Sequence, residues 1–286
     1  MDSENKMAET VSGREPKSYE RLFDLPLGVD EYSNGAKHYS RLPARIIVGA
    51  VAGVAKVAFR YKVLNRENLY MLVEKSGVVV ISNHTSYLDV VFMYLSIRPR
   101  YWARFVARES LFEVNGLLSW ILAQIGAFPI KRDAADRTAV KRAARMLKNG
   151  EIVCIMPEGT RRGKGSAESH VHGGVSLIAR MGKAPIMPMA IHNVDKVKRK
   201  GERLRLPRII AEFGDPVLLS DFDFLPKEDR LDGCAWYALR ECFALFQNKK
   251  PEDVDMVTLF PGDKDFTEVF AEHPIPRHTS AELASR

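Results

Sequence analysis

From Leu69 onward, short and nearly uninterrupted apolar runs alternate with longer stretches whose apolar residues recur every three or four positions. A run such as Val78-Val79-Val80-Ile81 shows no polar alternation, so a strand made from it needs both faces covered, and the intervening amphipathic stretches supply the helices to cover them. This pattern restricts the chain to an α/β fold: a single domain with a mostly buried mixed sheet flanked by helices. Strands are predicted at 78–81, 104–107, 127–130, 152–155, 186–191 and 208–213, and helices at 87–96, 116–125, 134–148, 174–181 and about 228–246. Gly150, just beyond Lys148 and Asn149, is a stop signal for the third helix.

Asn83-His84-Thr85-Ser86-Tyr87-Leu88-Asp89 follows directly on the first apolar run, where a strand hands over to a helix. Of the seven histidines, His84 alone has an aspartate five residues on, and it alone stands at a predicted strand end beside a capping pair, Thr85 and Ser86. Histidine changes charge near neutral pH and suits a general base, and Asp89 would accept the other ring N–H, fixing the tautomer and stabilising the imidazolium. Pro157-Glu158-Gly159-Thr160-Arg161 adds an anion clamp: the planar fork of Arg161 can meet two phosphate oxygens, and Gly159 lets backbone approach closely. Lys131 and Arg132 are candidate second contacts. Together these features point to acyl transfer onto a phosphorylated alcohol. No serine stands in a Gly-x-Ser-x-Gly elbow, so direct transfer from an activated thioester is expected rather than an acyl-enzyme. Residues 159–165 do not form a nucleotide P-loop, because the spacing is one residue short and no Ser or Thr follows Lys164.

With 286 residues, 46% of them hydrophobic, the chain can bury one sizeable core. The expected organisation is a polar N-terminal tail over 1–40, an apolar interfacial anchor over 41–66, the catalytic domain over 67–248 and a polar C-terminal tail over 249–286. Residues 1–19 lack the apolar core of a secretory signal. Residues 46–59 are rich in Ala, Gly and Val, interrupted only by Lys56 and flanked by Arg41, Arg45, Arg60 and Lys62. The stretch is too short to span a bilayer, and a helix with such cationic ends fits an interfacial anchor, with a buried core helix as the alternative. A second apolar surface at 111–128, carrying Leu117, Leu118, Trp120, Ile121 and Leu122, reads as core that also walls an acyl-chain channel or touches the bilayer.

The formal charge of +7 favours anionic partners: phospholipid head groups, nucleic acid or a phosphorylated small substrate. Arg137, Lys141, Arg142, Arg145 and Lys148 on the third predicted helix support a non-enzymatic nucleic-acid binder, but no interleaved aromatics, helix-turn-helix or zinc module accompany them. Lys196, Lys198, Arg199, Lys200, Arg203, Arg205 and Arg208 form a charged hairpin or loop suited to an anionic surface or to the phosphates of an acyl donor. Cys154, Cys234 and Cys242 are too few and too scattered for a disulfide framework or a metal site, which fits a reduced, cytosol-facing protein, and Cys154 reads as a small core residue. His170 and His172 lack local partners for a tetrahedral zinc site, so no metal is expected.

Four blocks in order resemble the glycerolipid acyltransferases of the 1-acylglycerol-3-phosphate acyltransferase type. They are His84 to Asp89, Gly126-Ala127-Phe128-Pro129-Ile130-Lys131-Arg132, Pro157-Glu158-Gly159-Thr160-Arg161 and Ala184-Pro185-Ile186-Met187-Pro188, and the resemblance covers roughly 60–215. It implies catalysis by His84 and Asp89, and an acceptor site built from Glu158, Gly159, Thr160, Arg161, Lys131 and Arg132. Glu158 would act on a glycerol hydroxyl or by orienting Arg161. Met156 stands where relatives carry Phe, and His172 where relatives often place a lysine, which leaves open which cation completes the phosphate site. The implied reaction moves a fatty acyl group from acyl-CoA or acyl carrier protein to lysophosphatidic acid, giving phosphatidic acid without a cofactor. Other lysophospholipids or glycerol 3-phosphate are alternative acceptors. The implied location is the cytoplasmic face of the cell membrane, peripheral or monotopic, on an anionic surface and with no nucleic-acid partner.

Overall fold

The computed structural model describes residues 17, 19–24, 31–34, 37–40, 42–131, 136–159, 170–197 and 203–285. Near the N-terminus, β1 (Glu31–Asn34) and β2 (Lys37–Ser40) pair antiparallel, and helix α1 (Leu42–Ala58) follows. The main body then runs β3 (Lys62–Leu64), α2 (Arg66–Val73), β4 (Val78–Ser82), α3 (Tyr87–Ile97), β5 (Ala103–Arg108), α4 (Gly116–Gln124) and β6 (Ala127–Ile130). It continues through α5 (Arg137–Lys148), β7 (Ile152–Ile155), α6 (Gly174–Gly182), β8 (Ile186–His192), β9 (Ile210–Phe213) and α7 (Arg230–Gln247), and closes with α8 (Met256–Leu259), α9 (Thr267–Glu272) and α10 (Ser280–Ser285).

The seven-stranded sheet has the order β3-β9-β8-β4-β7-β5-β6, and every neighbouring pair is parallel except β8 with β9. This is the expected mixed sheet. All five residues of β4 are buried, although successive side chains point to opposite faces, so helices cover both sides of the sheet centre. The six predicted strands are present, the last beginning at Ile210 rather than at 208. The third helix starts at Arg137, and the remainder of its predicted start, 134–135, lies outside the described residues. Its start is capped by Asp136, whose Oδ1 accepts the Ala139 N–H at 2.9 Å.

Three boundaries differ from expectation. The apolar segment placed at 41–66 does not stop short of the domain, because residues 62–64 are strand β3, paired with β9 at the sheet edge. The N-terminal tail is partly anchored: Tyr19, Leu22 and Phe23 are buried, and the Tyr19 hydroxyl donates to the Phe112 carbonyl at 3.1 Å. Arg104, almost wholly buried, reaches from β5 to the Phe23 carbonyl at 3.2 Å and pairs with Glu151 at 2.6 Å. The C-terminal stretch 249–286 is no loose tail. Phe260, Phe266, Phe270 and Ile275 are buried, with Phe266 and Phe270 against Trp236 of α7. A few aromatics spaced among polar residues suffice to seat a polar segment, since each removes a large apolar area from water.

Candidate active site

β4 and β7 lie side by side in parallel, with Ile81 opposite Ile155, so the residues just beyond both strands emerge at the same sheet edge. That register brings the His84 and Glu158 segments together across 74 positions of sequence. The backbone N–H of His84 donates to Glu158 Oε1 at 2.9 Å, and both residues are buried.

Ser86 opens α3 with extended backbone, its hydroxyl accepting the Leu88 N–H at 3.3 Å, and Asp89 completes a capping box. Asp89 Oδ2 accepts the N–H groups of Thr85 at 2.5 Å and Ser86 at 2.6 Å, and faces His84 Nδ1 at 3.2 Å. The Thr85 hydroxyl stands 3.3 Å from each carboxylate oxygen. A carboxylate held by this many donors accepts but does not give, so the His84 ring proton rests on Nδ1 and Nε2 is left as the basic nitrogen. The imidazole is thus oriented for proton transfer.

His84 and Glu158 line a cavity of about 1510 Å³, which also takes in the sheet ends, α3, α5 and α6. Its walls are largely apolar: Val48 and Val51 of α1, Val91 and Tyr94 of α3, Phe105 of β5, and Ile178 and Met181 of α6. Leu111, Ile121, Leu122 and Ile125 from the predicted second apolar surface belong to the same wall. Trp120 instead packs half-buried against the core, while Leu117 is exposed. Cationic side chains Arg108, Lys131, Arg137 and Lys141 border the cavity and are exposed.

Lys131 is held through its backbone, whose N–H donates to Asp136 Oδ2 at 3.0 Å, while its ammonium lies 3.8 Å from Glu109. Asp136 therefore caps α5 and fixes Lys131 at once. Sequence reasoning missed it, although an aspartate three residues before a helical Ala is a cap signal. Arg108 was missed as well, since nothing local marks a strand-end arginine as facing a cavity. Gly159 closes the turn after β7 with φ +66, its N–H donating to the Met156 carbonyl at 3.1 Å. A side chain there would be strained and would also meet His172 Nε2 at 3.4 Å. Thr160, Arg161 and Arg132 lie outside the described residues, so the structure brings together His84, Asp89, Glu158, Gly159 and Lys131 from the expected set.

Two thiols stand near the site, and neither suits a nucleophile. Burial pushes the Cys154 thiol well up and raises Cys242 too, and the Cys242 thiol points at the Ile81 carbonyl at 3.6 Å. On α5, Arg142 is engaged by Asp24 at 2.9 Å and Arg145 pairs with the same carboxylate, which takes two cations from the stripe a nucleic-acid binder would use.

The acyltransferase family model matches residues 60–192, the stretch that carries these strand ends. The chain is 35% identical to the 1-acyl-sn-glycerol-3-phosphate acyltransferase of Bacillus subtilis (strain 168), over 59% of this chain and 80% of that protein. It is 29% identical to the 1-acyl-sn-glycerol-3-phosphate acyltransferase of Streptococcus pneumoniae, over 62% of this chain and 60% of that protein. The crystal structure of the 1-acyl-sn-glycerophosphate acyltransferase PlsC from Thermotoga maritima aligns with a TM-score of 0.49 at 22% identity, covering 72% of this chain and 83% of that one. With more than a third of positions shared along four fifths of the Bacillus protein, this chain belongs to the acyltransferase family.

Proposed function

We propose that this acyltransferase moves a fatty acyl group from a thioester, acyl-CoA or acyl carrier protein, to the free hydroxyl of lysophosphatidic acid, forming phosphatidic acid for phospholipid synthesis. The observation that carries this reading is the junction at His84: its ring faces Asp89, its backbone N–H holds Glu158, and the pair opens on a largely apolar cavity bordered by cationic side chains. The names of the Bacillus and Streptococcus relatives support the same acceptor.

In this reaction His84 Nε2 takes the proton of the acceptor hydroxyl as its oxygen attacks the thioester carbonyl carbon, and Asp89 keeps the ring proton on Nδ1. Collapse of the tetrahedral adduct breaks the carbon–sulfur bond, and the departing sulfur recovers the proton from Nε2. No cofactor is needed beyond the thioester donor, because the acyl group arrives activated. The apolar walls would take acyl chain, each buried methylene contributing about 0.8 kcal/mol. Glu158 and Gly159 border the acceptor glycerol and phosphate, and Thr160, Arg161, Lys131 and Arg132 complete the anion site in this reading.

The enzyme acts as a peripheral or monotopic protein on the cytoplasmic face of an anionic membrane. Exposed Leu42, Ile46, Val54 and Val57 on α1 support this, together with Val48 and Val51 of the same helix, which reach the cavity wall. Among the described residues no helix is long and apolar enough to cross a membrane.

The test is a panel of acceptors, namely lysophosphatidic acid, other lysophospholipids and glycerol 3-phosphate, offered to purified protein with acyl-CoA and with acyl carrier protein. Phosphatidic acid is the expected product, and His84→Ala is expected to lose on the order of 10³-fold or more in rate while keeping its cooperative unfolding transition. Wild-type rates from His84→Ala would remove the mechanism, and preference for another acceptor would move the substrate assignment.

A further inference from the structure

The loop 170–173 enters the cavity beside Gly159, and it is held from outside the family-matched region. Asp263, in the turn between α8 and α9, accepts from His170 Nδ1 at 2.8 Å through Oδ1 and from the Val171 backbone N–H through Oδ2. Both oxygens of one largely buried carboxylate are thereby committed to two successive residues of the loop. The turn is itself fixed to the body. The Asp263 N–H donates to the Phe260 carbonyl at 3.2 Å, and the neighbouring Lys264 reaches Asp229, at the start of α7, at 2.7 Å. Phe260 and Phe266, on either side, are buried.

Beyond Val171 comes His172, whose exposed ring lines the cavity with its Nε2 3.4 Å from where a Cβ on Gly159 would stand. Gly159 is the neighbour of Glu158, which holds the His84 backbone. Hydrogen bonds therefore run from Asp263 to residues 170 and 171, and the next residue, His172, sets its ring beside the turn that borders the acceptor end of the site.

We infer that Asp263 is a positioning residue for acceptor recognition: its carboxylate sets the loop so that His172 presents a ring N–H to the phosphate of the acceptor above the Gly159 turn. An imidazole N–H is a directional donor to phosphate oxygen and is effective only when its backbone is held, which is the role of a carboxylate binding the two preceding residues. This inference rests on the proposed acceptor, and it extends the site to a segment that the sequence reads as a tail.

Steady-state kinetics with lysophosphatidic acid and acyl-CoA test it, using Asp263→Ala, Asp263→Asn, His172→Ala and the double variant Asp263→Ala with His172→Ala. Asp263→Ala is expected to raise the acceptor KM about tenfold with little change in kcat or donor KM, as loss of one well-placed polar contact would. Asp263→Asn, which still accepts the Val171 N–H, falls between wild type and Asp263→Ala. The double variant is no worse than His172→Ala alone, because the carboxylate acts through that ring. Additive losses, or an equal change in kcat and in both KM values, overturn the inference, since general loosening of the fold produces those. If Asp263→Ala unfolds, Asp263→Asn with its raised acceptor KM decides alone. Wild-type protein that acylates lysophosphatidic acid while Asp263→Ala and Asp263→Asn match it sinks this inference only. Wild-type protein inactive on that acceptor sinks the proposed function and this inference with it.

Discussion

Asp89 Oδ2 sits within hydrogen-bonding distance of three nitrogens, two of them backbone N–H groups of the α3 entry and one the His84 ring. Helix capping and base orientation thus share one atom, and substitution separates their sizes. Asp89→Asn keeps the volume and one acceptor for the helix entry but loses the charge that stabilises an imidazolium, so kcat is expected to fall roughly 10³-fold with stability little changed, whereas outright loss of a cap costs about 1 kcal/mol of stability. Ser86→Ala removes only the cap, and should show the stability loss with kcat near wild type. Chemical denaturation run beside initial rates separates the two, and a fully active Asp89→Asn protein would reduce the carboxylate to a helix cap. At this scale the His84 and Asp89 pair was legible in the sequence because both partners lie within one local turn. The bond from the His84 backbone to Glu158 was not, since it exists only once β4 and β7 are in register.

Helix α1 buries Ala44, Val48 and Ala55 and leaves Leu42, Ile46, Val54 and Val57 exposed, so its apolar residues occupy more of its circumference than the protein body covers. Paired Val54→Asp and Val57→Asp substitutions on that outer face are expected to weaken partition onto anionic liposomes by tenfold or more, as each charge costs on the order of 1 kcal/mol or more at an acyl interface. The unfolding midpoint should stay in place, because neither side chain is buried. Sedimentation with vesicles is the readout, and unchanged partition would mean that another surface meets the lipid. Among the elements, runs such as 78–81 and 186–191 were readable because buried parallel strands carry continuous apolar sequence. Strand β3 was not, since Lys62–Leu64 is three residues long and shows no period, and its identity comes from pairing with β9. The antiparallel turn of β9 against β8 was equally invisible, because an apolar run does not record strand direction.

Across the whole molecule, the last 38 residues complete the core: Phe260 packs on Phe243, and Phe266 and Phe270 on Trp236, all from segments the chain makes late. Losing three buried phenylalanines costs about 3–5 kcal/mol each, together comparable with the entire stability of a domain this size. A chain ending at Asn248 is therefore expected not to fold cooperatively. Thiol labelling reads this directly. Burial pushes Cys154 and Cys242 well up and Cys234 to about 12, so a thiolate-specific reagent at pH 8 should leave all three unmodified in the full chain and modify all three in the shortened one. An unreactive shortened chain would show that the body stands alone. Polar composition hid this segment, because its few aromatics follow no strand or helix period long enough to read. Ribosomes deliver the imidazole and its carboxylate, five positions apart, almost together, while Glu158 arrives much later and Asp263 near the end. A translation product cut short before Phe260 lacks the aromatics that complete the core, so it has neither an ordered base nor a seat for a lipid, and premature release yields idle chains rather than stray hydrolysis.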